Sequence, residues 1–215
     1  RPTIRPPMGG FPMSVCRLAV VLLLLHVPNL CAECIKIEVA RREPFAEGKS
    51  FGKTGPYERI IGIARFTVDP QHHRNKSIVD LDKASRNKDG LVEFACDVFI
   101  LAPKDPAKGN GAILYDVNNR GNKLALSFFN DAPGTNNPST AEHAGNGFLL
   151  ERGFAIVWCG WIGELLPGNH RMLLQAPVAT NDGKPITGIV RFEFSTDAPT
   201  DSLPLSRREG HGSYN

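Results

Sequence analysis

Gly111-Ala-Ile-Leu-Tyr-Asp-Val117, then Asn118-Asn119-Arg120-Gly121-Asn122, and later Phe154-Ala-Ile-Val-Trp-Cys159-Gly160-Trp161: these stretches decide how the chain is read. The two apolar runs, Ala112–Val117 and Phe154–Cys159, are too short for buried helices and do not alternate, so they suit strands covered on both faces. Parallel neighbours cannot be joined by a hairpin, and their connection normally carries helix. The segment 111–161 therefore reads as one β-α-β unit. Residues just past the carboxyl ends of its strands are where chemistry is expected.

Between the two runs, Lys123–Asn130 reads as a helical turn or two and Pro133–Pro138 breaks it. Ser139-Thr-Ala-Glu142 has the capping-box pattern, so a helix is expected to start there. Gly145 and Gly147 weaken that helix, and Gly153 stops it as a left-handed terminator.

Upstream, the chain reads as antiparallel β. Ile35–Val39 alternates, Glu43–Tyr57 is a loop punctuated by proline and glycine, and Ile60–Val68 is a second strand. Ser77–Leu81 and Leu91–Leu101 flank the turn Asn87–Gly90 and read as a strand pair. In the second of these, Val92, Phe94, Cys96, Val98 and Ile100 share a face, opposite Glu93 and Asp97. Downstream of Trp161, Arg171–Thr180 and Ile186–Phe194 flank Asn181-Asp-Gly183 as a further hairpin, with Val190, Phe192 and Phe194 alternating. The fold class is thus α/β but β-rich. Its sections are a β-rich part at 33–105, a β-α-β core beginning at 106–165, and a hairpin and tail at 166–215.

The first 32 residues are different. Met13-Ser-Val-Cys-Arg17 is a short positive segment and Leu18–Val27 an apolar one, as in a secretory signal peptide at 13–32 cut after Ala32. A membrane anchor is the other reading of that segment. Met13 is the expected start, with Met8 as the alternative, and residues 1–12 are expected to be upstream reading frame. The formal charge of +3 resides entirely in this leader, through Arg1, Arg5 and Arg17; the remainder balances. With no basic block interleaved with aromatics, nothing asks for nucleic acid. Cys34, Cys96 and Cys159 remain after the leader. Cys96 and Cys159 lie in apolar strand patterns and read either as small buried hydrophobes or as a bridge in an oxidising compartment. No C-x-x-C pair follows the leader, so zinc and thioredoxin-like readings drop out, and no cofactor is expected.

Several motifs need weighing. Gly48-Lys-Ser50-Phe-Gly52 matches G-x-S-x-G, but that motif works only between an apolar strand and a helix, and neither flanks it. Gly48–Thr54 approaches a phosphate loop, one residue short and without the helix that would supply amides. His72-His73 with Asp69 resembles a metal site on paper, yet adjacent histidines on a strand point to opposite faces, so solvated loop residues are expected. Asn75-Lys-Ser77 fits a glycosylation sequon. Asn118, Asn119, Arg120 and Gly121 follow the first buried strand, where a hydrolytic sheet offers N–H donors to an oxyanion. The same residues could instead form a hydrogen-bonded turn with Arg120 in a structural ion pair. Trp158 and Trp161 read as lining a cleft or as packing residues. Glu164, His170 and His211 have no identifiable partner.

Phe148-Leu-Leu-Glu-Arg-Gly-Phe-Ala-Ile-Val-Trp158 is similar to the helix-then-strand phrase of the α/β-hydrolase superfamily. Phe51–Arg59, Ile113–Lys123, Phe128–Gly134, Gly145–Leu149 and Gly160-Trp161 together resemble the bacterial "alpha/beta hydrolase domain" proteins of unknown specificity. The resemblance covers nearly everything after the leader. It implies a serine hydrolase, with serine, acid and histidine in that chain order, acting on a small ester-type substrate. No serine here other than Ser50 has glycines two residues before and after it, so no triad residue carries over. The expectation is an exported amino-terminal part of a longer enzyme, inactive alone and prone to aggregate where its sheet is uncovered. The rival expectation is a non-catalytic, exported β-rich binding or accessory module.

Overall fold

The computed structural model describes residues 32–189 and 195–201. The leader reading, and the strand pattern of Val190, Phe192 and Phe194, lie outside these residues. The described residues belong to one compact unit. In chain order its elements are β1 (Ala32–Pro44), β2 (Ser50–Phe51), β3 (Gly55–Val68), β4 (Val92–Pro103) and β5 (Ile113–Tyr115). There follow α1 (Ala125–Asn130), α2 (Phe148–Glu151), β6 (Ala155–Cys159), β7 (Leu174–Gln175), β8 (Thr180–Asn181) and β9 (Lys184–Pro185).

Seven of these strands form one mixed sheet in the order β1-β3-β4-β6-β5, with β2 on β3 and β7 on β4. All its pairs are antiparallel except β5 with β6, which run parallel in the register Ile113↔Ala155, Leu114↔Ile156, Tyr115↔Val157. The fold is therefore β-rich α/β, with a single β-α-β crossover. The far edge of β4 is shared: β6 takes Val98–Leu101 and β7 takes Ala95–Cys96. Asp97 sits at the seam, its backbone carbonyl accepting from Gly160 N–H and its own N–H donating to Leu173 O.

β4 is buried on both faces because it is central. Phe99 and Leu101 pack into the main core with Tyr57, Leu149, Leu150, Ile156 and Trp158. Cys96 and Val98 pack on the opposite face with Ala64, partly covered by Phe66, Ile100, Cys159 and Leu174. The alternation Val92–Ile100 thus marks one of two covered faces, not a buried and a solvated one.

Several expectations are corrected. β5 is not covered on both faces: as the sheet's edge it leaves Ile113 68% and Tyr115 50% exposed, with Val117 beyond it 63% exposed. β1 and β3 reach into the segment read as loop. Pro44 is tolerated because it lies at the end of an edge strand, where a missing N–H breaks no inner ladder. Ser77–Leu81 is not a strand. Local bonds Ile78 N–H to Asn75 O and Leu81 N–H to Ile78 O coil it into turns, leaving Val79 86% exposed. The hairpin around Asn181–Gly183 is real but only two residues long on each side, and Ile186–Ile189 is not strand.

The capping box at Ser139–Glu142 also fails. The ring Nδ1 of His143 accepts the Ser139 and Thr140 N–H groups instead, each at 3.1 Å, and only one 3₁₀ turn (Glu142–Ala144) forms. Gly145 ends it at φ 56°, where a Cβ would lie 2.0 Å from Asn130 O, so no other residue fits without rebuilding. The helix restarts as α2 and stops before Gly153 at φ 77°, as its left-handed terminator role requires.

Candidate functional site

The site is built where β5 and β6 end together. Asp116 directly follows β5, and its Oδ2 accepts the Leu124 and Ala125 N–H groups, each at 2.8 Å, together with the indole N–H of Trp158. One carboxylate oxygen therefore caps α1, whose first amides would otherwise lack acceptors, and ties it to β6. Sequence reasoning did not single out Asp116. An acid closing an apolar run, nine residues before a helix, is the signal that was available.

Asn118 continues the path and is buried. Its Nδ2 donates to Cys159 O at 2.6 Å, and its Oδ1 accepts Gly121 N–H at 2.9 Å. Asn119 and Asn122 exchange backbone bonds at 3.1 and 3.0 Å, closing a tight bend. Arg120 sits at its tip at φ 49°, with Nη1 3.1 Å from Glu164 Oε1. Gly121, at φ 82°, lies so close to the 171–172 backbone that a Cβ would fall 2.9 Å from the Arg171 side chain. The Asn118–Gly121 bend is thus an ordered structure whose Gly121, Asn119 and Asn122 donors are already used inside it. The Arg120 N–H is not among those internal donors.

The two tryptophans part company. Trp158 is wholly buried, edge-on to Phe99 at 5.7 Å, so it is a core residue rather than part of an open cleft wall. Trp161 is half exposed and donates its indole N–H to Asn118 O at 2.8 Å, which places it on the rim of the bend.

Lys123, by its sequence no more than the start of a helical turn, is the least ordinary group at this end of the sheet. It is 5% exposed. Its ammonium donates to Asn136 O at 2.7 Å and to His170 O at 3.4 Å, and lies 4.7 Å from the centroid of the Phe99 ring. Burial brings it down from 10.5 to about 8, against the opposing pull of Asp97 and Asp116. Asn136, also buried, fixes it from the other side: its Oδ1 accepts Lys123 N–H, and its Nδ2 donates to Asn122 Oδ1 and Asn169 O. A partly open cavity of about 210 Å³ adjoins Lys123, Asp97 and His170.

On the sheet's other face Cys96 and Cys159 are free thiols packed in the same apolar cluster. The neighbouring Cys96 thiol, and the Tyr115 hydroxyl, hold the Cys159 thiol below its usual range despite its burial, while Cys96 is pushed up. The two are not bridged; Cys159 pairs in register with Val98, two residues from Cys96.

The remaining motifs are placed simply. Ser50 lies in the two-residue β2, with no following helix. His72 and His73 are on a turn, not a strand, so their rings do not point apart but sit 4.5 Å from one another. Asn75 is buried with its Nδ2 donating to Asp69 O at 2.7 Å, so the sequon nitrogen is not presented to solvent in the folded chain. His170 supplies a backbone carbonyl to Lys123, and Glu164 pairs with Arg120; both lacked a partner in the sequence reading. Among the described residues no group of three or more His, Cys, Asp or Glu side chains converges as metal ligands, and no helix is long and apolar enough to cross a membrane. No protein-family model, curated protein or solved structure matches this chain.

Proposed function

We propose that this chain is part of an exported α/β-hydrolase-like serine hydrolase that cleaves an ester-type acyl bond in a small molecule. The observation that carries the reading is the parallel pair β5–β6, with an asparagine-rich bend directly past the carboxyl end of β5. Such a bend lies where a developing oxyanion can be met by fixed backbone donors. In this reading Asp116 and Asn118 hold the bend rigid, and the Arg120 N–H faces the reacting carbonyl oxygen. Gly121 N–H joins it by exchanging Asn118 Oδ1 for the oxyanion. The nucleophile is an activated serine outside residues 32–201, since no described serine sits between a strand and a helix.

One observation favours the rival, an exported β-rich binding module: most donors of the bend are satisfied internally, as in a purely structural turn. Labelling with a fluorophosphonate probe separates the two. The 215-residue chain should remain unlabelled and turn over no ester. The product of the gene read through beyond Asn215 should be labelled on a serine and hydrolyse short esters. Inhibitor-sensitive turnover by the 215-residue chain, or a folded read-through product that takes no label, would overturn the proposal.

A further inference from the structure

Lys123 is a buried cation with carbonyl partners but, among the described residues, no direct carboxylate partner. Burying an ammonium without a counterion is costly, and carbonyl dipoles offset only part of that cost. The cavity beside it is bounded by Arg41 from β1 and Arg171 from the segment after Gly168, with Asp97 as the one acid in its wall. Counting Lys123, the formal charge around this space is positive. Ile61, Phe99 and Met172 supply an apolar side. At about 210 Å³ the space is smaller than the pockets that hold drug-sized ligands, ~300 Å³ and above, and suits a compact one.

We propose that this cavity is a binding site for a short-chain aliphatic monocarboxylate, its head against Lys123 and its tail against Ile61, Phe99 and Met172. A carboxylate supplies the missing counter-charge and accepts the ammonium proton that the two carbonyls leave over. Asp97 in the same wall selects for a single negative charge, because a dianion would meet stronger repulsion there. A neutral ligand of equal shape would leave the cation unpaired. The site is independent of ester hydrolysis, so it can stand or fall separately from the function proposed above.

Binding also has a proton signature. Around Lys123 the titratable and charged groups are Asp97 from β4, Asp116 after β5, Arg41 from β1, and His170 and Arg171 from the 168–172 segment. A bound carboxylate favours the ammonium form, so near pH 8.5, where part of the lysine is neutral, binding must draw a proton from solution.

The test is calorimetric titration of the full chain with butyrate, in low-chloride buffer at constant ionic strength. Butyramide and inorganic phosphate serve as comparison ligands. Saturable binding of butyrate that exceeds both others is expected, with net proton uptake at pH 8.5 seen as a dependence of the heat on buffer ionisation enthalpy. Lys123→Met should abolish the binding while the variant still melts cooperatively. The proton-uptake measurement on the unmodified protein stands even if that variant does not fold. No saturable butyrate binding, equal binding of butyramide or phosphate, absence of proton uptake, or undiminished binding by a folded Lys123→Met protein would each overturn the assignment.

Discussion

The indole N–H of Trp158 donates to the same carboxylate oxygen of Asp116 that caps α1, so side chains 42 residues apart lock together the two parallel strands and the helix between them. That triple junction sets where the asparagine bend begins. Without it, β5 would be a three-residue edge strand with little side-chain anchorage.

Asp116→Ala leaves two backbone amides and a buried indole N–H without their acceptor. Unmet buried donors cost about 1–3 kcal/mol each, and partial rescue by water lowers the total, so a loss of about 3 kcal/mol in urea unfolding is expected. Asp116→Asn retains one acceptor oxygen and should lose about half as much. Equal stability of Asp116→Ala and the parent protein would remove the junction from the account.

Lys123 gives a pH dependence of definite sign. Its conjugate acid lies near 10.5 in the unfolded chain and near 8 in the fold. Between those values the unfolded chain binds the extra proton, so the fold gains stability as pH rises from about 8 to about 10.5, by about 3 kcal/mol from this group. Below about 8 both states are protonated and the burial cost is borne in full. Lys123→Met should therefore be more stable than the parent at pH 7, by about 1–2 kcal/mol after its two lost hydrogen bonds are counted. The order should reverse by pH ~10.5, where the burial cost is gone and the parent keeps its two hydrogen bonds, leaving the parent more stable by about 1–2 kcal/mol. Chemical denaturation at pH 7, 9 and 10.5 reads this directly.

Cys34 is exposed, Cys159 partly exposed and Cys96 buried. Iodoacetamide should label Cys34 and Cys159 in the native protein and Cys96 only on unfolding, with the Cys159 rate rising at lower pH than that of an ordinary thiol. Peptide mapping of the alkylated protein gives the three rates. Faster labelling of Cys96 than of Cys159 would contradict the arrangement of the pair.

The uncovered side of β5 shows Ile113, Tyr115 and Val117 alternating outward. An exposed apolar edge strand is a template for pairing with another chain. Ile113→Lys should reduce concentration-dependent association in light scattering while leaving the unfolding midpoint within about 0.5 kcal/mol of the parent.

Much of this architecture is legible in the residues. The apolar runs Ala112–Val117 and Phe154–Cys159 lack alternation and stand apart by a helix-sized gap, and the strands inside them, Ile113–Tyr115 and Ala155–Cys159, do pair in parallel. Ile60–Val68 and Leu91–Leu101 read as long strands and are. What composition cannot give is the partner. Ile113 looks as buried as Ile156, but one lies on an edge and the other between two strands, a difference set by chain segments far away. Ser77–Leu81 and the Ser139 capping box follow local rules that local competitors defeat: the Asn75 carbonyl accepts Ile78 N–H in one case, and the His143 ring accepts Ser139 N–H in the other. Of the candidate site, the Asn118–Gly121 bend was visible because a polar cluster after an apolar run is conspicuous. Lys123 was not, since a lysine at a helix start normally faces water, and only the meeting of Asn136, His170 and Phe99 around it shows otherwise.

The hydrolase reading depends on the relative direction of β5 and β6. Nuclear Overhauser contacts in isotope-labelled protein read it without further assumption. Cross-strand contacts should join Ile113 with Ala155 and Tyr115 with Val157, the two ends advancing together. Contacts joining Ile113 with Val157 and Tyr115 with Ala155 would mean opposed strands, and the hydrolase reading would lose its basis.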